Sequence, residues 1–162
     1  MKKILKNNCL VVLVGPSGAG KSTFAQKYFL PGEVISSDAI REELCGNFRD
    51  LSRDKEVFRL FADRVEDLLM YHKRAVVDAT NLTLKARQIW SDLSIQYEIK
   101  LFYIVINRPM NEKQRDGGWR KELPFLMPKH EKTFKENEAE ILSGDGGIAI
   151  VIDTRIEQFE IE

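Results

Sequence analysis

The segment Gly15-Pro16-Ser17-Gly18-Ala19-Gly20-Lys21-Ser22 constrains this chain more than any other. It fills the pattern G-x-x-x-x-G-K-[ST], directly after the apolar run Cys9 to Val14 and before a run compatible with a helix, Lys21 to Tyr28. Its glycines let the backbone curl tightly and turn successive N–H groups inward, while the following helix brings its positive N-terminal end to the same place. Strand, glycine loop and helix in that order make a phosphate cradle. A glycine-rich turn without a ligand is the plainer reading of the same residues. In the cradle, Lys21 reaches the β- and γ-phosphates, the Ser22 hydroxyl ligates a bridging Mg²⁺, and Thr23 lies next along the first turn. The expected cofactors are ATP, or another nucleoside triphosphate, and Mg²⁺.

With 162 residues, 43% of them hydrophobic, the chain is expected to form a single domain spanning 1–162 with an ample core. Its 25 basic and 25 acidic side chains cancel, so any basic surface must come from uneven distribution. Residues 1–30 carry Lys2, Lys3, Lys6, Lys21 and Lys27 and no acid, and residues 108–135 are also rich in base. A positive groove results if these segments converge. Two cysteines, Cys9 and Cys45, make no disulfide framework, so a cytoplasmic setting is expected. No stretch is long enough to span a bilayer, and His72 and His130 lack neighbours at zinc-ligand spacing.

Strand-like runs recur at Glu33–Ser36, Ala75–Asp78, Ile99–Ile106 and Ile148–Ile152, with helical patterns between them. Ser37 to Leu44 reads as a helix capped by Ser37 or Asp38 and ended by Gly46. From Leu51 to His72, the residues Val57, Phe58, Phe61, Val65, Leu68 and Leu69 form one core stripe at helical spacing. Further helices are expected over Thr83–Leu93, Met110–Arg115 and Pro128–Leu142. The stretch Asp116 to Pro124 is irregular and charged, and reads as the mobile part of a small lid over about 109–128. The alternation predicts an α/β fold with a mostly parallel five-stranded sheet and helices on both faces. Ligands of such sheets bind beyond the carboxyl ends of the strands, where the glycine loop, Ser36-Ser37-Asp38, Asp78 to Asn81 and Asn107-Arg108 all fall.

Phosphoryl transfer asks for an acceptor held in line, a metal, and positive charge over the transferred group. Asp38, with Arg41 three residues on, projects from the first turn of a helix, where it either orients an attacking hydroxyl and takes its proton or caps the helix and pairs with Arg41. Asp78 ends a buried strand, as an acceptor for Ser22 or a metal-bound water, or as a turn-forming aspartate. Thr80 and Asn81 offer neutral groups to a phosphate or sugar edge, or local caps. Arg115, Arg120 and Lys121 flank the glycine pair of the lid, where an arginine can neutralise developing charge or simply be solvated.

The loop, Ser37-Asp38-x-x-Arg41, Asp78-x-Thr80-Asn81, the following Arg87 and a basic lid ending near Pro124 together resemble the polynucleotide 5′-hydroxyl kinases, including phage enzymes and the kinase modules of bacterial RNA-repair proteins. The resemblance runs from the first strand to the lid. It implies a P-loop kinase fold and transfer of the γ-phosphate of ATP to the 5′-hydroxyl of an RNA or DNA end, as in nucleic-acid repair. By it, Asp38 is the general base, Arg41 contacts the acceptor's 3′-side phosphate, Arg115 or Arg120 contacts the donor phosphates, and Thr80, Asn81 and Arg87 belong to the acceptor site. No D-x-D-x-T signature of an attached phosphatase is present. Two other readings compete. One is a kinase acting on a small molecule or other hydroxyl acceptor, favoured by the zero net charge and the lack of an interleaved aromatic and basic stripe. The other is a nucleotide-dependent switch, for which the expected acidic neighbour of Asp78 is missing.

Overall fold

The computed structural model describes residues 4–5, 8–153 and 160–161; Lys2, Lys3 and Lys6 of the amino-terminal basic segment lie outside the described residues. Strands β1 (Ile4–Leu5) and β7 (Glu160–Ile161) pair in parallel as a separate two-stranded sheet. Five parallel strands form the main sheet: β2 (Cys9–Val14), β3 (Val34–Ser36), β4 (Ala75–Asp78), β5 (Lys100–Ile106) and β6 (Ile148–Ile152). Their spatial order is β3-β4-β2-β5-β6, which puts β2, and the loop that leaves it, in the middle.

Because side chains alternate across a strand, β2 feeds two cores. Leu10, Val12 and Val14 face α3 (Asp54–Met70), α4 (Leu84–Gln96) and α6 (Leu126–Ser143), whereas Cys9, Val11 and Leu13 face α1 (Lys21–Tyr28). Both faces of the strand are therefore covered, as the continuous apolar run requires. The Cys9 thiol, in this dry interior, is pushed up to about 11 by burial.

Local chemistry explains most element boundaries. The helix α2 (Ser37–Cys45) is capped by Ser36, whose hydroxyl accepts from the Ala39 amide at 3.3 Å, rather than by Ser37 or Asp38. Its other end is Gly46 at φ 70°, a left-handed position that a residue with a Cβ adopts only under strain. On α3, Val57, Phe61, Val65 and Leu69 are buried, but Phe58 departs from the expected stripe and stands 45% exposed. The irregular stretch after the short helix α5 (Met110–Arg115) is a 3₁₀ turn over Gly118–Glu122. No helix among the described residues is long and apolar enough to cross a membrane.

Candidate active site

The glycine loop is built where β2 meets the ends of β4 and β5. The Gly15 amide donates to the Thr80 carbonyl at 3.1 Å, and a Cβ on Gly15 would stand 2.0 Å from the Ile106 carbonyl oxygen. Only a glycine fits between the strands there. The Gly15→Ala substitution should destabilise the fold by about 1–3 kcal/mol, checked by urea unfolding. Gly18 (φ 82°) and Gly20 (φ 99°) supply the left-handed turns, Gly20 serving as the N-cap of α1 without a side chain of its own.

Lys21 is buried at the start of α1 and donates from Nζ to the Pro16 carbonyl at 2.9 Å. Burial pulls its ammonium down to about 8, against the attraction of Asp78. Ser22 Oγ donates to Asp78 Oδ2 at 2.8 Å, and burial raises the Asp78 carboxyl although Ser22 and Lys21 oppose the shift. This hydroxyl and carboxylate form an oxygen donor pair of the kind that holds Mg²⁺ alongside substrate phosphates. Among the described residues no group of three or more His, Cys, Asp and Glu side chains comes together, so an ion held here would take the rest of its coordination from a bound phosphate or water.

The loop opens into a cleft of about 580 Å³. Ser17, Lys21, Ser22, Asp38, Arg41, Asp78 and Thr80 all line it. Asp38 is 59% exposed at the first turn of α2, and Arg41, itself buried, donates from Nη1 to Asp38 Oδ1 at 2.7 Å. Arg41 also donates from Nε to Asp54 Oδ1 at 3.0 Å and from Nη1 to the Phe48 carbonyl at 3.3 Å. Its guanidinium thus ties α2 to α3 and to the connection between them, and sets the direction of the Asp38 carboxylate.

The lid turn covers the loop. Arg120 donates from Nε to Ser17 Oγ at 2.5 Å and lies over the Trp119 ring at 4.7 Å. Burial pulls the Arg120 guanidinium down from its ordinary range, while Asp38 acts in the opposite direction. Arg108, from the end of β5, donates to the Gly18 carbonyl at 2.9 Å and to Asp116 at 2.9 Å. The basic residues of the loop and of the lid region do converge, as far as Lys21, Arg108, Arg120 and Lys129 are concerned.

Several expected site residues are placed elsewhere. Arg87 is fully buried on α4, paired with Asp145 and donating to the carbonyls of Asn81 and Leu82, so it holds the framework and does not reach the cleft. Asn81, also buried, donates to the Leu13 carbonyl at 2.8 Å and accepts from Trp90 Nε1 at 2.9 Å. A left-handed φ of 49°, which asparagine tolerates better than most residues, lets it make that bridge. Arg115 is exposed and bonded to Asp116, and Thr23 is exposed outside the cleft lining.

One site residue escaped sequence reasoning. His130, on the first turns of α6, accepts at Nδ1 from the Ser17 amide at 3.2 Å. Burial, together with Lys21, Lys129, Arg120 and Lys113, pulls this imidazole down to about 4, which keeps it neutral and able to accept. It takes a loop amide of the kind that otherwise serves a phosphate oxygen. No sequence spacing signals this contact, because 113 positions separate the partners.

Solved structures share this architecture. A chain of the Pnkp1/Rnl/Hen1 RNA repair complex is 22% identical with a TM-score of 0.70, covering 84% of this chain and 47% of its own. A structure of the PezAT toxin-antitoxin system of Streptococcus pneumoniae is 14% identical with a TM-score of 0.68, covering 95% and 70%. The APS kinase CysC of Mycobacterium tuberculosis, solved with AMPPNP and APS, is 21% identical with a TM-score of 0.51, covering 68% and 69%. The chain thus spans less than half the length of the RNA-repair chains it matches, 40% and 47%. Among curated proteins none matches it in sequence. The loop, the parallel sheet and these likenesses define a P-loop kinase fold, and since residues 10–117, about two thirds of the chain, match the AAA domain family, the chain belongs to that family.

Proposed function

We propose that this chain is a polynucleotide 5′-hydroxyl kinase, moving the γ-phosphate of ATP or another nucleoside triphosphate to the 5′-hydroxyl of an RNA or DNA end, in nucleic-acid repair within the cytoplasm. The observation that carries this reading is the shared cleft: Asp38, aimed by Arg41, faces the same space as the glycine loop with Lys21 and Ser22. The likeness to a chain of an RNA repair complex supports it.

In this reading the loop amides and Lys21 hold the donor phosphates, and Ser22 and Asp78 would hold Mg²⁺, which would supply neutralisation of phosphate charge. Asp38 orients the 5′-hydroxyl and accepts its proton as the new oxygen–phosphorus bond forms and the bond to the β-phosphate breaks. Arg120, on the lid, stands over the transferred group and offsets charge that develops there. Arg41 acts through Asp38, and Thr80 sets the loop through its backbone.

A second reading, transfer to the hydroxyl of a small molecule, is favoured by one observation: Arg41 is engaged with Asp38, Asp54 and Phe48, not free to hold an acceptor phosphodiester. Incubation with γ-labelled ATP, Mg²⁺ and a panel of 5′-hydroxyl RNA, 5′-hydroxyl DNA, nucleosides and sugars separates the two. Label on the oligonucleotide ends is the expected result, and label confined to nucleosides or sugars overturns it.

Donor binding has a pH signature. Lys21 must be charged to hold a phosphate, and in the nucleotide-free protein its ammonium titrates at about 8. Below that pH the lysine is already protonated and contributes no pH dependence. Above it the free protein must take up a proton to bind, so affinity should weaken by up to about tenfold per pH unit until the higher pKa of the bound state is reached. Calorimetric titration with a non-hydrolysable ATP analogue from about pH 7 to pH 9.5 checks this. Unchanged affinity across that range would contradict the assignment of Lys21 as a phosphate ligand.

A further inference from the structure

Large apolar side chains stand open in the cleft wall: Leu51 is 64% exposed, Phe58 45% and Phe125 64%. Phe58 is the informative one, because the helical stripe of α3 places it beside the buried Val57 and Phe61. Its ring makes an edge contact with Phe61, centroids 5.9 Å apart, yet it stays open to the cleft. Phe58 is also one helical turn after Asp54, on the same face of α3. Asp54 holds Arg41, and Arg41 holds Asp38. This chain of contacts puts an open aromatic ring one turn from Asp54, which Arg41 links to the carboxylate that orients the acceptor hydroxyl.

Cations interleave with the aromatic groups around the same cleft. Phe48 and Trp119 join the α2–α3 connection to the lid turn as an edge-to-face pair, centroids 5.0 Å apart. Arg49 lies over both rings at 5.6 and 5.5 Å, and Arg120 covers Trp119 from the loop side. Lys129 adds a further positive charge to the lining. Exposed aromatic rings and cations lining one cleft suit a ligand that carries a flat ring and negative charge in one molecule, which describes a nucleotide at the end of a strand.

We propose that Phe58 and Phe125, with Leu51 of the same cleft, form a stacking subsite for the terminal base of the acceptor. This assignment rests on the polynucleotide reading above and deepens it. The acceptor is gripped by its first base, and Arg41 serves to position Asp38 instead of binding the acceptor's 3′-side phosphate. The subsite tolerates any base, since every base presents an aromatic face.

The test compares kcat/KM for a 5′-hydroxyl oligonucleotide and for the same oligonucleotide with an abasic 5′-terminal residue, using the full chain and its Phe58→Ala, Phe58→Leu and Phe125→Ala variants. Phe58→Leu keeps an apolar side chain against Phe61, and calorimetric binding of a non-hydrolysable ATP analogue shows that each variant retains its donor site. In the unmodified chain the abasic end should lose about 10- to 100-fold, carried mainly by KM. Each Phe58 variant should lose a comparable factor on the intact end and little more on the abasic end. Equal kcat/KM for the two ends in the unmodified chain, or equal loss on both ends in the Phe58 variants, overturns the subsite and leaves the 5′-hydroxyl kinase standing. Absence of labelled product from both ends with the unmodified chain overturns both readings.

Discussion

Lys21→Ala should abolish phosphoryl transfer, lowering kcat by about 10³-fold, the scale seen when one preorganised donor is removed from a charge-stabilising site. The effect is large because the ammonium sits in a dry place. Lys21 is buried, held to the Pro16 carbonyl at 2.9 Å, and under the influence of Asp78. Low local polarity strengthens what a cation does for a phosphate and leaves water a poor substitute once the side chain is gone. Single-turnover kinetics with labelled ATP measure the loss, and an unfolding curve close to that of the unmodified protein separates it from collapse of the loop. Turnover within about tenfold of the unmodified chain would remove Lys21 from the transfer machinery.

Asp38→Ala should lower kcat by about 10²- to 10⁴-fold, the usual range for a positioned acid or base, while donor affinity stays nearly unchanged. The separation follows from geometry. Asp38 is exposed on the cleft and bonded to Arg41, whereas the phosphate end is built from Ser17, Lys21, Ser22 and Asp78. Removing the carboxylate leaves Arg41 its bonds to Asp54 and to the Phe48 carbonyl, so α2 and α3 remain tied. Asp38→Asn retains a hydrogen-bond acceptor for Arg41 but is a far poorer proton acceptor, and it should be nearly as impaired as the alanine variant. Parallel loss of turnover and donor binding in Asp38→Ala would make the aspartate a structural partner of Arg41 and nothing more.

These two residues differ in how they were legible. Lys21 lies within a contiguous pattern whose geometry depends on glycine torsions and on the adjoining strand and helix, all encoded locally. Asp38 could be singled out because parallel sheets place their ligands at strand carboxyl ends, and the order of strands and helices along the chain predicts that sheet. Asp78 and Thr80 follow from the same rule, and the structure brings them to the cleft. Arg87 and Asn81 did not follow it. Asn81 sits close to a strand end, three residues beyond β4, but its left-handed turn swings its amide back onto Leu13; Arg87, nine residues beyond β4 and expected from the family resemblance alone, is turned by α4 toward Asp145. Phe58 shows the converse error: helical spacing indicates a face of α3, but not where the protein covering that face stops.

The sequence by itself determined the phosphate loop, the alternation that makes a parallel sheet, and the strand-end positions of Asp38, Asp78 and Thr80, because each rests on short-range torsions or on a periodic apolar pattern. Tertiary structure alone decided that Arg41 is committed to Asp38 and Asp54, that Arg120 and not Arg115 reaches the loop, that His130 takes the Ser17 amide, and that aromatic and basic side chains interleave around one cleft. Two of these contacts join residues more than a hundred positions apart, and the burial and direction of such side chains are properties of how helices pack across a sheet, which no local spacing records.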